Sequence, residues 1–194
     1  MEVPKSLAKY LAKHDFIATH EAKRLGINPM MLSRLAKEEA LYRVERGLYA
    51  KDTGWLTDPL KKYLPICTAV SEAVITGISA LAYYDLTDEE ERQIWISVPI
   101  TKFLKNPRYR IVRQRGSGYK LGIEKHPFGK REVRIYNIEK AVVDAFKFLT
   151  EEAALKALKA YLKRADKNLN RLFEYGRKVK KPIDDIVRVL LAEE

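Results

Sequence analysis

Cysteine is almost missing from this chain: Cys67 is the only one among 194 residues, so no disulfide can close within it. Flanked by Leu64, Pro65 and Ile66 on one side and Ala69 and Val70 on the other, Cys67 reads as a small core residue. Histidine is scarce too. His14, His20 and His126 are scattered and none has a partner at metal-helix spacing, so neither a metal site nor a cofactor is expected. Gly116-Ser117-Gly118 lacks the lysine and helix context of a phosphate loop, and no nucleophile elbow occurs, which leaves no catalytic residue to name. No apolar run approaches the roughly 20 residues that span a bilayer. The opening MEVPKSLAKYLAKHD has neither the apolar core nor the cleavage site of a secretory leader, so a cytoplasmic chain without membrane association is expected. Acidic groups are also in deficit. Against 37 Lys and Arg stand 26 Asp and Glu, a formal net charge of +11, which points to a polyanionic or acidic partner.

What is present is concentrated first between Thr19 and Lys51. Thr19 is placed to cap a helix carrying Ala22 and Leu25, and Gly26 is placed to end it in a left-handed conformation. Asn28 and Pro29 restart the chain as N-cap and first helical residue, predicting a second helix from about Pro29 to Glu39. By helical spacing Leu32, Leu35 and Ala36 face inward. Met30, Ser33, Arg34 and Lys37 then form an outer face of the kind a recognition helix presents to a major groove. Beyond it, Leu41 to Val44 and Leu48 to Ala50 alternate as a two-stranded wing turned at Glu45-Arg46-Gly47. Arg46 sits at the tip, flanked by Arg43 and Lys51, where a wing touches backbone or minor groove. A compact helical domain that binds only protein is the competing reading.

This stretch resembles the AbiEi-type antitoxins of type IV, abortive-infection toxin-antitoxin systems. The resemblance rests on Phe16-Ile17-Ala18-Thr19, Gly26-Ile27, Leu32 to Lys37 and Arg46-Gly47-Leu48-Tyr49, and continues through Ile78 to Leu86 and Asn137 to Phe146. It implies a DNA-binding transcriptional autoregulator that represses its own operon through inverted repeats in double-stranded DNA. It also implies an antitoxin, not an enzyme, that counters a neighbouring nucleotidyltransferase-like toxin without a stable complex. Two copies on an inverted repeat imply a possible homodimer on DNA. The remainder of the chain is short for the family.

The expected fold class is α/β (α+β): a winged helix-turn-helix over residues 1–55, then residues 56–194 as a small mixed or antiparallel sheet packed with helices and ending in a helical tail. A turn-rich linker at 52–59 leads into a helix from about Pro59 to Val74 and another after Gly77. Strands are predicted at Gln93 to Pro99, Arg110 to Arg115, Gly122 to Lys125 and Glu132 to Tyr136. Gly116 to Gly118 is read as a turn and His126 to Gly129 as a loop. Between Thr101 and Ile135 eleven basic side chains face two acidic ones, Glu124 and Glu132. Arg110, Arg113 and Arg115 lie there among Phe103, Tyr109 and Tyr119, a composition suited to nucleic acid. Docking of an acidic protein is the alternative, and a metal-dependent nuclease using Glu124 and Glu132 is another.

Overall fold

A computed structural model describes residues 3–128 and 130–192. The chain forms two compact units: one runs through Ser71 and takes in Pro127–Val133, the other comprises Glu72–His126 and continues from Arg134. The fold is mixed α and β, as its sequence predicts. Among the described residues no helix is long and apolar enough to cross a membrane.

The first unit runs α1 (Lys5–Leu11), β1 (Phe16–Ala18), α2 (Thr19–Arg24), α3 (Pro29–Lys37), β2 (Tyr42–Glu45), β3 (Leu48–Ala50), two short 3-10 turns and α4 (Leu64–Ala69). Its core gathers Leu7, Leu11, Ile17, Ala22, Ile27, Leu32, Leu35, Leu41 and Tyr49. The wing has three strands, ordered β1-β3-β2, because Phe16, Ile17 and Ala18 pair antiparallel with Ala50, Tyr49 and Leu48. Between Arg43 and Glu45 the β2 register slips, and the intervening Val44 turns into the core.

Helix α2 ends as expected. Leu25 is its C-cap and Gly26 follows at φ +72°. Ile27 N–H then reaches Ala22 O at 2.9 Å and Gly26 N–H reaches Lys23 O at 3.0 Å, satisfying carbonyls the helix leaves open. Helix α3 closes with the same pair of bonds, from Ala40 to Leu35 at 2.9 Å and Glu39 to Ala36 at 3.4 Å. There the left-handed residue is Glu39, at φ 58°, and the helix stops at Lys37. Thr19 does not cap α2. Ala18 holds the cap position, and the Glu21 carboxylate accepts its N–H at 2.8 Å.

The helix predicted from Pro59 to Val74 is broken into a 3-10 turn at Lys61–Tyr63, the short α4 and a strand at Val74–Ile75. Asp58 accepts the N–H groups of Leu60 and Lys61 at 2.9 and 2.8 Å, tying the chain into a turn where the helix was to begin. Nor do residues 52–59 hang free as a linker. The Trp55 ring meets Phe16 edge-on at 5.6 Å, and Lys61 pairs with Asp15 at 3.1 Å.

The second unit contains β4 (Val74–Ile75), α5 (Gly77–Tyr83), β5 (Ile94–Pro99), β6 (Tyr109–Gln114), α6 (Gly116–Lys120), most of β7 (Ile123–Phe128), the end of β8 (Arg131–Tyr136), α7 (Ile138–Phe148), α8 (Glu151–Leu162), α9 (Leu169–Lys178) and α10 (Asp184–Ala192); residues 127–128 of β7 and 131–133 of β8 belong to the first unit. The strand order is β6-β5-β4-β8-β7, with β4 antiparallel to β5 and parallel to β8, and β5 parallel to β6. Val74–Ile75 is thus a central strand, which explains why the amphipathic pattern there misled: sheet pairing on both edges outweighs local helix preference. Two further corrections concern the basic region. Gly116-Ser117-Gly118 begins a helix rather than a turn, because the Tyr119 hydroxyl donates to Glu72 O at 2.7 Å and Tyr119 O accepts from the Tyr136 hydroxyl at 2.7 Å. The strand expected to stop at Lys125 runs on through Phe128; Gly129 lies outside the described residues.

Helix α7 is the axis of this unit. Asn137 caps it by accepting Lys140 N–H at 3.1 Å. Glu139 meets the Tyr161 hydroxyl at 3.3 Å and Arg171 at 3.6 Å, while Lys140 and Asp144 form an ion pair with no exposed side-chain surface. Gln114 donates to Asp144 at 3.3 Å and to Ser97 at 3.1 Å, so α7 is bonded to the sheet it covers.

Candidate nucleic-acid interface

Helix α3 separates its side chains by role. Leu32 and Leu35 are wholly buried, whereas Met30 is 72% exposed and Ser33, Arg34 and Lys37 are open to solvent. Asn28 accepts Met30 N–H at 2.9 Å, which fixes the first turn with Pro29 at its start. The N-terminal turn carries no acidic residue, so its partial positive charge is unopposed and suits a phosphate. Arg34 and Lys37 lie in the last turn, where a cation complements the helix dipole.

The wing is held against this helix by contacts that spacing does not reveal. Ser33 Oγ lies 3.0 Å from the Tyr49 hydroxyl, joining α3 to β3. Thr19 N–H donates to Gly47 O at 2.9 Å, joining the start of α2 to the wing turn. Gly47 is at φ +77°, and a Cβ there would lie 3.2 Å from Thr19 Oγ1, so the turn admits little but glycine. Met30, Ser33, Arg46 and Tyr49 line one hollow between helix and turn. The structure therefore brings Met30, Ser33 and Arg46 together. Arg34 and Lys37 stand further along the exposed face of α3, Arg43 is exposed on β2 opposite Tyr49, and Lys51 is exposed just past β3. Ser33 serves first as a tie to the wing, a role its position alone did not announce.

Arg131 was counted among the cations of the basic region, but it pairs with Glu21 inside the first unit. Burial alone pushes the Glu21 carboxyl up, but the Ala18 N–H and the Arg131 guanidinium outweigh it and hold the group below its ordinary 4.5. A depressed carboxylate contributes stability above its unfolded value and loses it as pH falls through the folded one. Glu21→Gln is accordingly expected to cost about 1.5 to 3 kcal/mol at neutral pH. The difference from the parent should shrink below pH 4.5; denaturant unfolding across the acid range measures it, and a pH-independent difference would remove the ion pair as its cause.

In the second unit Arg110, Arg113 and Arg115 are all exposed along and just beyond the edge strand β6. Arg110 stacks over Trp95 at 5.5 Å. Arg113 donates to Lys102 O at 3.3 Å and Leu104 O at 3.1 Å. Arg115 sits at the N-cap of α6. Sequence reading missed Lys147, Lys178 and Lys180, which line a concavity together with Arg113 and Arg115. They come from chain segments too distant for any local pattern to join. Glu124 accepts from Tyr84 at 3.3 Å and lies 3.8 Å from His126 Nε2, and among the described residues no cluster of three His, Cys, Asp or Glu is arranged to hold a metal ion.

Comparison with known proteins bears on both units. The chain is similar in fold to the crystal structure of the RV2827C protein from Mycobacterium tuberculosis, with a TM-score of 0.62 over 91% of this chain and 72% of that one, at 12% identity. No curated protein matches significantly in sequence. Residues 6–50, spanning α1, the helix-turn-helix and the wing, match the family described as transcriptional regulator, AbiEi antitoxin. The family match is thus confined to the winged helix-turn-helix segment, which resembles AbiEi-type regulators.

Proposed function

We propose that this chain is the autoregulating antitoxin of a type IV system, binding inverted repeats upstream of its own gene and countering a nucleotidyltransferase-like toxin without a lasting complex. The observation that carries the reading is the pairing of an outward cationic helix face with a wing turn fixed beside it by Thr19 and Tyr49. Residues 1–55 act as the DNA-binding module. Met30 and Arg34 approach base edges, Ser33 sets the helix against the wing, and Lys37, Arg43, Arg46 and Lys51 hold phosphates. The protein works in the cytoplasm, one copy on each half-site, so two copies meet on the repeat.

The test is binding to the DNA upstream of the gene, with unrelated competitor DNA and a salt series. Arg34→Ala is expected to weaken operator binding by about 1 to 3 kcal/mol and relax specificity at one position. Arg46→Ala should weaken all sequences alike and lower the salt slope by about 1. Binding that ignores both changes, or that competitor DNA abolishes, would sink the reading.

A further inference from the structure

Two features of the second unit that the operator-reading face does not use adjoin at Arg113. One is the concavity lined by Arg113, Arg115, Lys147, Lys178 and Lys180, with no acidic residue in its lining. Of these, Lys178 is shared with Glu174, while Arg115, Lys147 and Lys180 point charge into solvent. The other is an apolar hollow, also bordered by Arg113, where Phe103 stands 94% exposed. This phenyl ring is not the tip of a loose loop. Arg113 binds the carbonyls on both sides of it, at Lys102 and Leu104, Lys102 is paired with Glu72 at 2.9 Å, and Ile100 N–H is bonded to Gln114 O at 2.9 Å. Arg113 also lies 5.7 Å from the ring centroid. A large apolar ring is held out in water by a braced backbone, beside a row of cations.

We propose that the second unit carries a separate site for unpaired nucleic acid, in which Arg115, Lys147 and Lys180 take backbone phosphates and Phe103, braced by Arg113, stacks a base. Charge and ring together select this ligand. Phosphates meet the cations, and a base released from pairing offers the flat face that an exposed phenyl ring accepts without regard to sequence. A duplex offers cations its phosphates but gives Phe103 no free base face, since its bases are already stacked. An acidic protein would satisfy the charge while leaving the braced ring without a specific role.

The experiment is fluorescence polarisation of the full chain with a labelled twelve-nucleotide single strand, as RNA and as DNA, and with the matching duplex. Phe103→Ala should weaken single-strand binding about fivefold or more and leave duplex binding alone, with Phe103→Tyr close to the parent. Lys147→Gln with Lys180→Gln should flatten the single-strand salt slope by about 1.4. All three positions are exposed, and thermal melting checks that the variants stay folded. Single-strand binding that survives Phe103→Ala overturns the proposal. So does single-strand binding lost with Arg34→Ala and Arg46→Ala, which would place the strand on the first unit, and so does binding only to phosphatidylserine vesicles or to a polyglutamate peptide. Failure of operator binding alone leaves these measurements standing, so the two sites are judged separately.

Discussion

Asp144→Ala is expected to destabilise the chain by about 3 to 5 kcal/mol, the largest effect of any single change considered. Asp144 and Lys140 have no exposed side-chain surface, and one carboxylate oxygen, Oδ2, also accepts from Gln114 at 3.3 Å and Thr76 at 3.5 Å. Removing the carboxylate leaves a buried ammonium, 4.1 Å from the Tyr136 ring centroid, with no counter-ion. Burial pushes the Asp144 carboxyl up and the Lys140 ammonium down, so the interior resists both charges and their mutual attraction offsets that resistance. The pair is therefore a weak source of net stability and a strong liability when halved. Lys140→Met combined with Asp144→Leu should be less damaging than Asp144→Ala alone, and denaturant unfolding of both variants decides it. If the double change is as costly as the sum of two independent losses, Lys140 and Asp144 are not coupled, and an unpaired buried ammonium is not what makes Asp144→Ala costly.

The same helix shows how much of the fold is readable. A sheet packed with helices is what the sequence leads one to expect, and α7 does cover the sheet, with Asn137 as its cap and Val142, Val143 and Ala145 buried. Its charged members were harder to place. Lys140 and Asp144 are four apart, a spacing that on most helices marks a solvated pair, and only the sheet beneath turns them into core. The first unit divides along the same line. Gly26, Asn28 and Pro29 act through their own backbone preferences and were legible, whereas Glu39 takes a left-handed conformation that its side chain does not favour, imposed by the bonds that close α3. The remaining misreadings share a cause. Val74–Ile75 became a strand, and Gly116–Lys120 a helix, through partners distant in sequence. Of the interface, the outward face of α3 and the tip at Arg46 follow from local periodicity. The Ser33–Tyr49 tie, the Glu21–Arg131 pair and the gathering of Lys147, Lys178 and Lys180 around Arg113 do not, because each depends on how separate segments pack.

That division within α3 leads to a second large effect, on neighbouring residues with opposite consequences. Leu35 is wholly buried in the core of the first unit, one position beyond the exposed Arg34. Its carbonyl also accepts Ala40 N–H at 2.9 Å, so the helix end and the chain's path into β2 are organised around it. Leu35→Ala should cost about 2 to 5 kcal/mol, the range for emptying a leucine site that collapses only partly. Arg34→Ala, removing a solvated side chain, should stay within about 0.5 kcal/mol in stability while losing the 1 to 3 kcal/mol of operator binding assigned to it. Leu35→Met keeps most of the volume and should cost less than about 1.5 kcal/mol, with operator binding retained. Chemical unfolding followed by intrinsic fluorescence, run beside the operator assay on all three variants, separates the two faces. Operator binding is expected to fall in Leu35→Ala because folded α3 becomes scarce, and to recover as temperature is lowered toward the stability maximum. In Arg34→Ala it should fall at every temperature at which the protein is folded. Should Leu35→Ala melt like the parent, the packing of α3 against α1 and α2 would not be what presents the recognition face. Should Arg34→Ala melt early, its lost binding would no longer report a contact with DNA.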